Sequence, residues 1–212
     1  MYLIEENQLS LLQGTISLKR FMVVGTVPTR DELLDGLRRD AFRPFEGGLE
    51  GEQMGWCDWR NLLITPPDDN WVIQERFAVF GLRLDTRKVP GSLLKAKVDL
   101  RIDDLHKDKD HVSFISKEAR TSIQSEVNSE LLLKVLPTPK IFEVAWDLRG
   151  GTLLTTASSG KAQSDFVGLF VKTFGRELHP ITPLLMASRL LKSVSVDYLM
   201  TVDPLDLTVG PV

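Results

Sequence analysis

The sequence predicts an α+β fold, an antiparallel sheet with packed helices, and three patterns carry that prediction. A strand runs into a capped helix near the start of the chain. A β-hairpin runs into an amphipathic helix near its end. Between them lie two helices with narrow apolar seams, which must pack on something else. The reading is one α+β domain over 1–212, with 88–136 as a helical hairpin extension. At 212 residues the chain is long enough to bury a sizeable core.

The first strand covers 16–24, ISLKRFMVV, and turns at Gly25 and Pro28. Thr29 caps the following helix, Glu32 completes a capping box, and Leu33, Leu34 and Leu37 form its buried stripe. FRPFEGGLEGEQMGWCDW, rich in glycine and aromatic residues, reads as loop and turn. Strands return at 61–64 and across 71–84, the second rich in Val, Ile and Phe. Lys88-Val89-Pro90-Gly91 marks a boundary, and Ser92 is placed to cap the next helix. Leu94, Val98, Ile102 and Leu105 form its seam. Polar HKDKDH interrupts at 106–111. Ser116 then starts a helix with Ile123, Val127 and Leu131 on one face, ending before Pro137-Thr138-Pro139. IFEVAWDLRGGTLLTTA reads as strand, Arg149-Gly150-Gly151 turn, strand. SSGKAQSDFVGLFVKTFG follows as a helix burying Phe166, Leu169, Phe170 and Phe174, with Gly175 at the C-cap position.

Composition fits a soluble globular protein, 42% hydrophobic and 26% charged, and no apolar run approaches the ~18 residues of a membrane span. Met1-Tyr2-Leu3-Ile4-Glu5-Glu6 has no basic region before an apolar stretch and does not read as a signal peptide. A single cysteine, Cys57, excludes an internal disulfide and a cysteine-rich zinc site. The expected compartment is the cytoplasm. The net charge of −3 argues against a surface coated in nucleic-acid contacts, yet 88–140 holds 10 basic and 8 acidic residues and is the only positive third.

The stretch at 158–175 begins like a phosphate-binding loop but fails on spacing. The loop needs a glycine where Thr155 stands, and a Ser or Thr where Ala162 stands. What survives is a helix start with free amides and Lys161 in the first turn, a generic anion site. A metal-dependent nuclease of the restriction type would show Pro-Asp, then acid, any residue, lysine. Pro67-Asp68 is followed by Glu75-Arg76-Phe77, with phenylalanine in the lysine's place. His106, Asp108, Asp110 and His111 lie in a charged linker where solvated side chains are the ordinary outcome. His179, before Pro180, reads as a turn residue, and Cys57 between Trp56 and Trp59 as a buried, inert thiol. No Gly-x-Ser-x-Gly elbow is present. These patterns give no catalytic constellation, no metal site and no cofactor.

Basic residues on helices are the remaining signal. Lys97 and Arg101 share a face, as do Lys117 and Arg120; Lys134 and Lys140 flank the proline turn; Lys161 starts a helix that Lys172 and Arg176 end. Ordinary solubilising charge explains most such residues, and cations at a helix C-terminus already favour the macrodipole.

Taken in order, SLKRFMVV, AFRPF, MGW at 54–56, RKVPGSLLKAKVDLRI, LLLKVLPTPK, VAWDLRGGTLLTTASSGKAQSDFVGLFVKTFG and ITPL resemble the RdgC family of bacterial recombination-associated DNA-binding proteins, over residues 16 to 185. The chain resembles a shortened member without the family's usual C-terminal segment. The resemblance implies a homodimer that encircles or clamps double-stranded DNA and modulates a RecA-type recombinase, nucleoid-associated and without a membrane partner. On that reading the cations make phosphate contact: Lys97, Arg101, Lys117, Arg120, Lys140, Lys161, Lys172 and Arg176. Some family members carry an exonuclease label, which the motifs above do not support, so no catalysis and no cofactor are expected. The alternatives are an assembly factor on the same scaffold without DNA binding, and a metal-dependent nuclease. On this reading Lys161 and Lys172 are replaceable by Glu without unfolding the protein.

Overall fold

The computed structural model describes residues 16–46, 51–108, 116–191 and 195–201. Seven strands form one antiparallel sheet: β1 (Lys19–Val24), β2 (Glu52–Cys57), β3 (Ile73–Gln74), β4 (Phe77–Thr86), β5 (Thr138–Asp147), β6 (Thr152–Thr155) and β7 (Glu177–Pro180). Their order is β2-β4-β5-β6-β1-β7, with β3 also paired to β4. Helices α1 (Arg30–Arg39) and α5 (Gly160–Phe174) bury their apolar residues in a shared core with the sheet. The α+β class read from the sequence is the class observed.

Both strand–helix units form for the reasons visible in the sequence. Thr29 and Glu32 make the reciprocal capping box that starts α1. The Ser159 hydroxyl accepts from the Ala162 amide to start α5, and Gly175, at φ 64°, ends it in the left-handed region that favours glycine. Phe166, Phe170 and Phe174, four residues apart, lie on one face of α5. They meet Trp56 of β2, Phe80 of β4 and Trp146 of β5, the closest pair being Phe170 and Phe174 at 4.8 Å. Phe21, Leu82, Val144 and Leu153 complete the layer from the sheet.

Between β4 and β5 the chain leaves the sheet as α3 (Gly91–Asp108) and returns as α4 (Lys117–Leu132). Val89, Val98, Val127 and Leu131 form a second, smaller core between them, with Leu94, Ile102 and Ile123 partly buried around it. Leu105, placed on the seam by periodicity, is exposed. The Pro90 carbonyl accepts from the Leu94 amide, so the helix opens at Gly91 and Ser92 lies inside it rather than capping it. Short helices α6 (Pro183–Leu190) and α7 (Val196–Thr201) follow β7.

Other assignments also differ from expectation. Residues 52–57 are a strand and not loop, because Gly55 lets β2 run against the 41–42 segment: a Cβ there would sit 2.3 Å from the Phe42 Cα. Residues 61–64 are a turn, closed by the Asn61 side chain accepting from the Leu63 amide and by the Ile64 amide donating to the Asn61 carbonyl. The strand expected over 71–84 is divided: α2 (Asp69–Val72) precedes it, and Glu75 at φ 56° turns β3 into β4. His179 belongs to β7, opposite Met22 of β1. The first strand begins at Lys19, three residues later than periodicity suggested. Asp110 and His111 lie outside the described residues, while His106 and Asp108 end α3.

Replacing Phe170, which is fully buried, with alanine should cost about 3–5 kcal/mol in urea unfolding, the scale of a large core cavity. Leu136→Ala, at a side chain 85% exposed, should stay within about 0.5 kcal/mol.

Candidate nucleic-acid interface

The eight cations are spread over several elements. Lys97, Arg101, Lys117 and Arg120 lie on the helical hairpin, Lys140 on β5, Lys161 at the start of α5, and Lys172 and Arg176 at and just beyond its end. Lys161 and Lys172 are eleven residues apart on one helix, roughly 16 Å along its axis.

Their partners divide them further. Arg101 pairs with Glu130 at 3.3 Å and Arg120 with Asp99 at 3.4 Å, each tying α3 to α4 across the hairpin. Such exposed pairs contribute ~0.2–1 kcal/mol and exchange readily with solvent. Lys161 binds both carboxylate oxygens of Glu52, at the start of β2. That hydrogen bond raises the Lys161 pKa. Arg176 donates to the carbonyls of Thr26 and Phe174, which fixes the entry to α1 against the exit of α5. Lys97, Lys117 and Lys140 are exposed, and among the described residues no ion pair engages them.

Lys172 is held most firmly. It pairs at 2.8 Å with Asp40, whose side chain is only 7% exposed. Burial pushes the Asp40 carboxyl up, but hydrogen bonds from Lys172, Thr173 and Arg39, together with the Lys172 charge, outweigh it and hold the pKa below 3.8. The Thr173 hydroxyl also accepts from the Trp56 indole at 2.9 Å, so this network reaches the aromatic core. A glutamate at 172 would place like charge beside a buried carboxylate. The Lys172 half of a double substitution of Lys161 and Lys172 by Glu therefore carries a stability cost.

Register places two of the cations at one end of the sheet. Glu52, Met54 and Trp56 of β2 alternate onto the face covered by α5, and Met54, Leu84 and Lys140 are aligned across β2, β4 and β5. Lys140 thus shares the face and the end of the sheet at which Glu52 reaches Lys161, about 10 Å across the strands from Met54. Lys88, two residues past β4, and Lys134, four before β5, enter and leave the same end. Sequence periodicity gave no reason to group Lys88 with Lys140, since only the pairing of β4 with β5 sets both toward one end of the sheet.

Of the residues of the nuclease alternative, Asp68 accepts from the Asn70 amide at the start of α2, Glu75 forms the turn between β3 and β4, and Arg76 pairs with Asp147 at 3.2 Å. Under the opposite face of the sheet, Arg83 grips Asp85 through two bonds of 2.7 Å, and Arg60 grips Asp58 through two of 3.0 Å. Burial pushes the Cys57 thiol up to about 12, leaving it protonated at neutral pH. Among the described residues no helix is long and apolar enough to cross a membrane.

The family model described as "Putative exonuclease, RdgC" matches residues 18–195 of the 212. No curated protein matches the chain.

Because the folded pKa of Asp40 lies below its unfolded value, its contribution to stability is present above pH 3.8 and is lost as pH falls through the lower folded value. Asp40→Asn should therefore destabilise by about 1–3 kcal/mol near neutral pH. Urea midpoints of variant and parent should converge in strong acid.

Proposed function

The chain belongs to the RdgC family, and from that premise we propose that it is a sequence-independent DNA-binding protein acting in recombination or replication. The match across residues 18–195 is the observation that carries this reading. Its contacts are to phosphate, made by exposed lysines and arginines. Its partners are double-stranded DNA, a second copy of the chain as a ring or clamp, and a RecA-type recombinase, in the cytoplasm and at the nucleoid.

The arrangement of charge supports phosphate contact without base reading. Lys97, Lys117 and Lys140 are exposed and, among the described residues, outside any ion pair, so they meet a phosphate at little cost. Arg101 and Arg120 carry exposed pairs that a polyanion can exchange. Lys172 and Arg176 are bound into the protein's own structure and act as fixed positive charge at the end of α5. We favour binding over catalysis because Asp58, Asp85 and Asp147 are each held by an arginine, which suits them poorly as metal ligands.

A second reading, an assembly factor that does not bind DNA, is favoured by α6 and α7. Leu190, Tyr198 and Met200 are each more than 60% exposed there, the signature of a surface made to be covered.

Anisotropy of a labelled duplex titrated with protein separates the two. In a dimer, three unpaired lysines per chain neutralise six phosphates, so affinity should fall on the order of 10³-fold between about 50 and 200 mM salt, whatever the base sequence. The triple variant Lys97→Gln, Lys117→Gln, Lys140→Gln should lose most of that salt dependence. No binding at low salt would remove the DNA reading and leave the assembly factor.

A further inference from the structure

Lys161, in the first turn of α5 where the sequence predicts an anion site, is already paired with the protein's own Glu52. We propose that Glu52 is an internal stand-in for a DNA phosphate, an autoinhibitory carboxylate that duplex DNA must displace from Lys161 at the base of the helical hairpin. This rests on the DNA-binding reading above.

Three observations separate this pair from the other carboxylate–cation pairs. Both Glu52 oxygens face the Lys161 ammonium, the arrangement in which two phosphate oxygens would approach it. The pair is open to solvent, with Lys161 63% and Glu52 46% exposed, so it can part without uncovering a buried charge. Asp40, by contrast, is buried among several donors and cannot release Lys172 on those terms. The Arg101–Glu130 and Arg120–Asp99 pairs join the two helices of one hairpin. Glu52–Lys161 instead links elements 109 residues apart in sequence, at the sheet end that Lys140 shares.

The location has a physical consequence. A carboxylate beside Lys161 neutralises the ammonium. While the pair is closed, Lys161 adds nothing to counterion release, and DNA gains that contact only by breaking the ion pair. Glu52 is the acid of β2 that the sheet register aims at α5.

The experiment is a double-mutant cycle on duplex affinity with the full chain: parent, Glu52→Gln, Lys161→Gln and the double variant, each titrated at several salt concentrations. Asp197→Asn, an exposed acid on α7, serves as the charge control. Glu52→Gln should tighten binding roughly two- to fivefold, the scale of one exposed ion pair. Its salt slope should steepen by about 0.9 per chain, one added phosphate contact. Both changes should vanish when Lys161→Gln is present. Equal affinity and slope for parent and Glu52→Gln would overturn the inference while leaving the DNA reading intact. A gain that persists without Lys161, or that Asp197→Asn reproduces, would also overturn it, because the effect would then be net charge alone. Absence of binding by every variant at low salt would remove the DNA reading, and this inference with it. Unchanged urea midpoints would establish that the variants are compared as folded proteins.

Discussion

The contact of α5 with the sheet is the constraint on which everything else depends. Phe166, Phe170 and Phe174 pack against Trp56, Phe80 and Trp146, strands that are adjacent only after β2, β4 and β5 have paired. Aromatic pairs at 4.8–6.3 Å add to the burial of large side chains, so this layer both fills the core and fixes the rotation of α5. That rotation decides where the polar residues go. With phenylalanines inward at every fourth position, Lys161 is carried to the β2 edge and Lys172 to the α1 end. The Trp56–Thr173–Asp40 network pins the same helix at its other end by hydrogen bonds rather than apolar area.

What the sequence made legible follows from the range of the interactions involved. The α1 capping box and the Gly175 ending are settled within four residues, and both are as expected. The β5–β6 hairpin is almost as local, since one short turn sets its register. β2 was not legible. Its glycine-rich sequence resembles loop, and the reason for Gly55 is the backbone of Phe42, thirteen residues away and close only in the folded chain. His179 resembled a turn residue because Pro180 follows it, yet a proline at the end of a strand on the sheet edge gives up no ladder hydrogen bond.

The candidate site was legible in its cations and illegible in their partners. Spacing placed Lys97 with Arg101 and Lys117 with Arg120 on helix faces, as observed. Nothing local indicates that Glu130 and Asp99 would meet the two arginines, or that Asp40 and Glu52 would meet Lys172 and Lys161. Ion pairs between distant segments are weak, sequence-tolerant and dictated by the backbone that carries them, so they leave no periodic trace. The Lys172 case shows the consequence. From sequence it is a surface lysine, whereas its partner is a carboxylate whose side chain is only 7% exposed.

The helical hairpin poses the same question in apolar terms. α3 turns Val98 and, in part, Leu94 toward α4, yet Leu93 and Leu100, seven residues apart on another side, remain exposed. A helix that is apolar on two sides, but covered on one, leaves apolar surface open to solvent. Its exposed lysines stand on the same elements, which places hydrophobic and cationic surface side by side where β4 leaves the sheet and β5 enters it. A net charge of −3 is compatible with a polyanionic partner on these terms. Affinity for phosphate depends on which cations remain without a carboxylate within a Debye length, and the fold, by choosing the pairs, chooses those cations.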